Sequence, residues 1–169
     1  MIENNVISVM KNNGDIFYTV MLGNASQDIV NTLEYLSIIL DTGAGLTMLP
    51  RRVCAYISRS VNIYSCEGAQ EVGMYGVSDS ANFSAKLYFM TDVLVGGLKF
   101  PRFYFYVPYI ESNLPLLGMD IIGRCDIDFK QGRVHNSLSN FNMKEYLEYY
   151  DNLSGYNSML FPQLAVFTG

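Results

Sequence analysis

The sequence predicts one mostly β domain, a barrel or a sandwich, and three observations support this class. Short runs of β-branched and aromatic residues recur along the chain and are separated by turn residues. The chain has 169 residues, which fits a single domain. Half of the residues are hydrophobic and 14% are aromatic, which is enough to fill one core. Helical periodicity is limited to one or two short segments, so a helical bundle is not expected.

The N-terminal part of the chain begins with a predicted hairpin. Val6–Met10 and Ile16–Leu22 are apolar runs on either side of the turn sequence K-N-N-G-D. The polar stretch Asn24–Glu34 is either a long loop or one helical turn. Leu36–Leu40 is an almost uninterrupted apolar run, typical of a strand buried on both faces, and Leu46–Leu49 predicts a further short strand.

The middle of the chain predicts a short helix followed by two hairpins. Pro50 precedes R-R-V-C-A-Y-I-S, which has the composition of a short helix. The glycine-containing stretch E-V-G-M-Y-G-V-S-D-S predicts a hairpin. Phe83–Val95 alternates apolar and polar residues, and the tight turn G-G-L-K joins it to the aromatic run Phe100–Val107. We expect those aromatic side chains in the core and at an interface.

The C-terminal part predicts shorter elements. L-P-L-L-G-M-D-I-I-G-R reads as an apolar strand that ends at a glycine, and K-Q-G is a hairpin turn between Cys125–Phe129 and Arg133–His135. Asn142–Tyr150 has helical spacing and predicts an amphipathic helix that covers one end of the barrel. F-P-Q-L-A-V-F-T-G predicts a last strand.

Composition excludes several classes of function. The net charge of -5 leaves no basic stripe for nucleic acid. The three cysteines contain no C-x-x-C, and the single histidine has no ligand cluster around it, so we expect no metal and no cofactor. No basic segment leads into a long apolar run, and apolar runs are too short for a membrane span. These features predict a cytoplasmic protein with reduced thiols.

Two separated motifs could carry chemistry. Asp41 ends the run L-S-I-I-L and is followed by T-G-A, with the hydroxyl residue Thr47 shortly after. Far downstream stands L-P-L-L-G-M-D. A lone D-T-G is most simply an ordinary turn, because Asp and Gly both favour turns. Its combination with a distant apolar-apolar-Gly-x-Asp motif is much more specific.

The combination D-T-G-A-x-x-T and L-L-G-x-D resembles the retropepsin-like aspartic proteases, the single-domain class that includes the retroviral proteases. The resemblance covers residues 36–135, and C-D-I-D-F-K-Q-G-R-V fits the strand-turn-strand that follows the second motif in relatives. Residues 1–35 lie outside the resemblance, and we expect them to add N-terminal strands and a loop packed on the barrel. Residues 136–169 would be a C-terminal extension with a helix and a candidate interface strand.

The resemblance also implies roles for individual residues. Asp41 would be catalytic, and the rest of its turn and the L-L-G segment threaded behind it would support the site: Thr42, Gly43, Ala44, Leu116, Leu117 and Gly118. Two carboxylates held close together share one proton, so one can deprotonate water while the other protonates the peptide carbonyl. The chain has no other D-T-G or D-S-G. We therefore expect a symmetric homodimer in which each subunit contributes one Asp41.

A glycine-bearing hairpin is expected to act as a flap over the substrate. The candidate residues are Gly73, Met74, Tyr75 and Gly76. Flap closure would exclude water and add backbone hydrogen bonds to a peptide. The alternative is an ordinary surface hairpin whose glycines serve only the turn.

Two departures from the retroviral pattern affect the expected dimer and pH dependence. Retroviral enzymes usually place an acid after D-T-G-A and a base after apolar-apolar-G, where this chain has Gly45 and Met119. The corresponding ion pair cannot form, so the dimer must be held differently, for example through Leu164–Phe167. Ala44 lacks a hydroxyl that could stabilise the ionised carboxylate, so we expect an activity optimum nearer neutrality than in acid-secreted relatives.

The sequence thus favours an aspartic endopeptidase that hydrolyses polypeptides as a homodimer. One alternative is a regulatory or binding domain that keeps the fold and has little or no activity. Another is an unrelated small β-barrel with a chance D-T-G turn. Exchange of Asp41 for Asn and the oligomeric state in solution distinguish these hypotheses.

Overall fold

The structure is a computed structural model, and it describes residues 5–12, 14–24, 36–75, 82–111, 114–158 and 162–167. All strands in these ranges belong to one sheet. The strands are β1 (Ile7–Met10), β2 (Thr19–Asn24), β3 (Leu36–Leu40), β4 (Ile63–Ser65), β5 (Val72–Tyr75), β6 (Asn82–Val95), β7 (Leu98–Pro108), β8 (Leu116–Leu117), β9 (Asp126–Asp128), β10 (His135–Ser139) and β11 (Gln163–Leu164). The helices are α1 (Arg51–Ile57), α2 (Met119–Ile122) and α3 (Met143–Ser154), followed by a 3-10 turn at Tyr156–Ser158.

This architecture confirms the mostly β prediction. Helices α1 and α3 occupy the two segments with helical patterns, and α2 is a single turn directly after Gly118. Leu46–Leu49, predicted as a strand, instead forms isolated bridges at Met48. The stretch Asn24–Glu34, for which the sequence leaves both a loop and one helical turn open, lies almost entirely outside the described residues. Among those residues, no helix is both long and apolar enough to cross a membrane.

The long hairpin of β6 and β7 is the centre of the sheet. The sheet runs in the order β11-β4-β6-β2-β1-β10-β9, and β3, β5, β7 and β8 join it as branches. Gly96 and Gly97 form the predicted tight turn with φ of 56° and 83°. Positive φ at both central residues matches the right-handed twist of a two-residue hairpin, which is why glycine suits this turn.

Strand β3 is held between two partners, and this arrangement positions the candidate site. It pairs antiparallel with β2, where Thr19 lies opposite Ile39. On its other edge it pairs parallel with β8, with Ile39 opposite Leu116 and Leu40 opposite Leu117. Segments almost eighty residues apart in sequence therefore lie side by side where β3 ends.

Helix α3 is attached to the sheet through an aromatic and polar face. It begins after Asn142, whose side chain accepts from the Glu145 N–H, and it ends at Gly155 with φ of 72°. Its buried residues are Tyr146, Tyr150, Asp151 and Ser154. They pack against the fully buried aromatic core, which includes Phe89, Phe100, Phe103, Tyr104, Phe105 and Phe141. The helix is therefore part of the core and not only a cover.

The C-terminal strand pairs within its own chain. Gln163 and Leu164 of β11 lie opposite Ser65 and Tyr64 of β4. Leu164 remains 58% exposed, so this segment still offers apolar surface. The interface role expected for Leu164–Phe167 stays a prediction.

Candidate functional site

Asp41 lies in the D-T-G turn (residues 41–44), which follows β3. Its N–H donates to the Leu117 carbonyl oxygen at 3.0 Å and ties the turn to β8. Its carboxylate Oδ1 accepts from the Gly43 N–H at 2.8 Å, and its carbonyl oxygen accepts from the Ala44 N–H at 3.2 Å. A side chain that binds the backbone two residues on fixes its own turn. The carboxylate is partly exposed, so it is oriented and still accessible to water.

The other residues of the D-T-G turn differ in what they contact. A Cβ added at Gly43 would lie 3.1 Å from Asp41 Oδ1, so glycine leaves room for the carboxylate to bond the backbone. Thr42 is exposed in the single chain, and Ala44 is partly buried. The resemblance implies that the Thr42 hydroxyl bonds to the same turn of the partner subunit, and this stays a prediction.

The L-L-G segment packs directly behind the turn. Leu117 is fully buried, and the Met119 N–H donates to the Ala44 carbonyl oxygen at 2.8 Å. A Cβ at Gly118 would lie 2.6 Å from the backbone of Leu46 and 2.9 Å from the Ala44 carbonyl oxygen. Such contacts are closer than side chains tolerate, so only glycine fits without moving the turn. The structure thus brings together the two motifs that the sequence analysis combined.

A buried carboxylate joins the two motifs from behind. Asp120 Oδ1 accepts from the Thr47 hydroxyl at 2.8 Å, and its Oδ2 accepts from the Thr47 N–H at 3.2 Å. The Thr47 hydroxyl oxygen in turn accepts from the Gly118 N–H at 3.2 Å. Asp120 also accepts from the Ile121 N–H at 3.0 Å and from the Tyr150 hydroxyl at 2.7 Å. Residues 47 and 118 are therefore held together by one shared hydrogen-bond cluster.

Sequence reasoning did not assign these roles. Thr47 and Asp120 are the last residues of the two motifs, but the motifs alone assign no function to either. Nothing in the sequence pointed to Tyr150, because its contact depends on how α3 docks. Burial raises the pKa of the Asp120 carboxyl, and the hydrogen bonds from Tyr150, Thr47 and Ile121 oppose that rise.

The candidate flap is a hairpin whose tip lies outside the described residues. Strand β5 pairs antiparallel with β6, with Gly73 opposite Ser84 and Met74 opposite Phe83. Gly73, Met74 and Tyr75 therefore lie on the strand that leads to the tip. Gly76 and the rest of the segment 76–81 are not described. A Cβ at Gly73 would meet nothing within 4 Å, so packing does not require that glycine.

The cysteines do not form a reactive site. Burial raises the pKa of Cys66 and of Cys125 to about 12, and it raises that of Cys54 as well. Thiols in this state are protonated at neutral pH and are poor nucleophiles. In the described part of the chain, no three His, Cys, Asp or Glu side chains are grouped as a metal site would require.

Comparison with known proteins identifies the fold. No family model and no curated protein matches the sequence. Among solved structures, a retropepsin-like aspartic protease from Rickettsia conorii is similar, with a TM-score of 0.51 and 15% sequence identity. The match covers 82% of this chain and 96% of that chain. The chain therefore has a retropepsin-like fold.

Proposed function

We propose that two copies of this chain form an aspartic endopeptidase. The observation that carries the proposal is Asp41 itself, a partly exposed carboxylate oriented by the Gly43 N–H and anchored to β8 through Leu117. In the dimer, the two Asp41 carboxylates share one proton. One of them deprotonates a water molecule, and the other protonates the carbonyl oxygen of the scissile peptide bond. The pair titrates as a unit.

Exposed apolar side chains in the connection between β7 and β8 are compatible with a polypeptide substrate. Leu114, which lies two residues before β8, is 45% exposed close to the strand that leads into the turn. Tyr109 and Ile110 are also exposed in the same connection. Together with the hairpin of β5 and β6, these side chains would contact apolar residues of an extended peptide.

Exposed apolar side chains next to the D-T-G turn favour a second copy as the partner. The Leu40 N–H donates to the Tyr18 carbonyl oxygen at 2.9 Å, so the residues before Tyr18 lie beside the turn. There, Ile16 is 82% exposed and Phe17 49% exposed. Met119, whose N–H bonds to the turn, is 40% exposed. An apolar contact at these residues would replace the ion pair that the chain cannot form.

Exchange of Asp41 for Asn tests the reaction. The full chain is incubated with a peptide library, and cleavage is followed by mass spectrometry. Asp41→Asn is expected to abolish cleavage, because the amide cannot accept the proton from water. Asp92→Asn is the matched control, since Asp92 is exposed and Asn tolerates its positive φ of 54°. Unchanged cleavage by Asp41→Asn would refute the proposal, and a wild-type chain that cleaves no peptide would favour the binding-domain alternative.

Mixing of subunits tests whether the site is shared. When wild-type and Asp41→Asn chains are combined at equal concentration and allowed to exchange, only dimers with two carboxylates are active. A shared site then leaves about a quarter of the full activity, whereas independent subunits leave about half. A linear dependence on the wild-type fraction would exclude the shared mechanism.

Two substitutions locate the interface. Phe17→Asp introduces a charge beside the D-T-G turn and is expected to convert the dimer to a monomer, as measured by sedimentation. Val166→Asp makes the same type of change at a residue that is 81% exposed in the C-terminal segment. Dissociation by Val166→Asp alone would assign the interface to that segment instead.

A further inference from the structure

The C-terminal helix α3 contacts the Asp120 carboxylate, behind the D-T-G turn, through the phenol of Tyr150. Tyr150 is fully buried on α3, and its ring stacks on Tyr104 with centroids 4.8 Å apart and planes at 14°. Its hydroxyl donates to Asp120 Oδ2 at 2.7 Å. The only other donor to this oxygen among the described residues is the Thr47 N–H, at a longer 3.2 Å. The Tyr150 hydroxyl is therefore the shortest contact of Oδ2.

Asp120 connects Tyr150 to the D-T-G turn through further hydrogen bonds. It binds Thr47 at the hydroxyl and at the backbone, and the Thr47 hydroxyl binds the Gly118 N–H. Gly118 is flanked by Leu117 and Met119, whose backbones bond to Asp41 and Ala44. A displacement of Asp120 would therefore change the geometry of both hydrogen bonds that join the D-T-G turn to β8 and α2.

We infer that Tyr150 is a positioning residue for Asp41, acting through Asp120 and Thr47. This inference deepens the proposed function and rests on it for its effect on catalysis. It also assigns a role to the C-terminal extension. Helix α3 supports the site from behind, so the segment that carries it is required by the mature enzyme and is not a removable propeptide.

The same helix provides a matched control. Tyr146 is also fully buried, and its hydroxyl accepts a hydrogen bond from the Tyr104 N–H at 2.9 Å. Tyr146→Phe and Tyr150→Phe both remove one buried hydroxyl from α3 and leave the ring in place. Only the second removes a donor from Asp120, so differences between the two variants report on the path to the turn.

Amide hydrogen exchange tests the positioning without reference to activity. Tyr150→Phe is expected to accelerate exchange about tenfold or more at the amides of Asp41, Thr47 and Met48, which are protected by bonds to β8 and Asp120. Tyr146→Phe is expected to leave those amides unchanged. Equal exchange of the turn in the two variants would overturn the inference.

Kinetics test the consequence for catalysis. Tyr150→Phe is expected to lower kcat about tenfold with KM changed less than about twofold, while Tyr146→Phe keeps both within about twofold. A kcat loss of the same size in both variants would indicate general destabilisation and overturn the inference. Altered exchange at the turn in a chain without Asp41-dependent cleavage would support the positioning and refute the proposed function.

A second variant covers the case in which Tyr150→Phe does not fold. Thr47→Val removes the next hydroxyl on the same path and keeps the shape of the side chain. It is expected to give the same faster exchange at the D-T-G turn and the same fall in kcat. A Thr47→Val protein with normal exchange and normal kcat would show that the path does not hold the turn.

Discussion

Gly118 is the position where adding one methyl group should do the most damage to the site. Its φ and ψ are -103° and -172°, an extended conformation that any residue adopts. Gly118→Ala therefore introduces no backbone strain of its own. Its effect comes entirely from the added Cβ, which would lie 2.6 Å from the backbone of Leu46 and 2.9 Å from the Ala44 carbonyl oxygen.

The size of the effect follows from two opposing contributions. Overpacking in a well-packed region costs about 1–3 kcal/mol, and contacts with backbone atoms cannot be relieved by a rotamer change, which favours the upper end. Replacing Gly by Ala lowers the conformational entropy of the unfolded chain and so stabilises the folded state by about 0.4–1 kcal/mol. The net loss is about 2 kcal/mol, or a fall in Tm of about 4–8 °C for a domain of this size.

The matched control is Gly68→Ala. A Cβ at Gly68 would meet only the Ser154 carbonyl oxygen, at an ordinary 3.9 Å, so this variant carries the unfolded-state gain without the clash. Thermal denaturation followed by circular dichroism compares the two. Because Gly118→Ala must push the D-T-G turn away, cleavage should also fall about a hundredfold. Equal Tm values and preserved cleavage would refute the packing of L-L-G behind the turn.

Three further predictions address the site and its framework. Gly43→Ala is expected to rotate the Asp41 carboxylate, because the new Cβ lies 3.1 Å from Oδ1. The value of kcat should fall while Tm changes by less than about 2 °C, and an unchanged kcat would contradict this prediction. Arg102→Leu removes the guanidinium that binds the largely buried Asp151 at 2.7 and 2.6 Å. The free energy of unfolding, measured by denaturant titration, should therefore fall by about 3–5 kcal/mol, and replacing both Arg102 and Asp151 by Leu should restore part of it. Ala44→Ser adds a donor for the ionised carboxylate and should move the pH-rate optimum downward, and a profile that stays in place would argue against the reasoning.

The fold was predictable where local signals agree with each other. The G-G turn, the alternation of β6 and the aromatic run of β7 each indicate the same hairpin, and the structure contains it as the longest pairing in the sheet. The D-T-G turn could be expected for the same reason, since Asp and Gly both favour it locally. Its contact with L-L-G came from the resemblance and not from local propensity.

The remaining features depend on contacts that sequence patterns do not encode. Tyr150 and Tyr146 look alike on a helical wheel, yet one hydroxyl meets a carboxylate of the site and the other a backbone amide of β7. Ion pairing of Arg102 with Asp151 spans 49 residues and depends on the way α3 docks. Tertiary packing determines which partner each of these side chains binds, and the sequence pattern does not distinguish between the possible partners.

The joining of Thr47 to Asp120 across 73 residues has a consequence for how the chain folds. Contacts of such separation require closure of a long loop, which is slow relative to the formation of neighbouring hairpins. During synthesis, the D-T-G turn leaves the ribosome long before L-L-G and α3 exist. A partly synthesised chain can form the early hairpins. It still lacks the L-L-G segment that packs behind the D-T-G turn and the helix α3 that binds Asp120. On the proposed function, Asp41-dependent cleavage would therefore begin only after α3 has been synthesised and has docked.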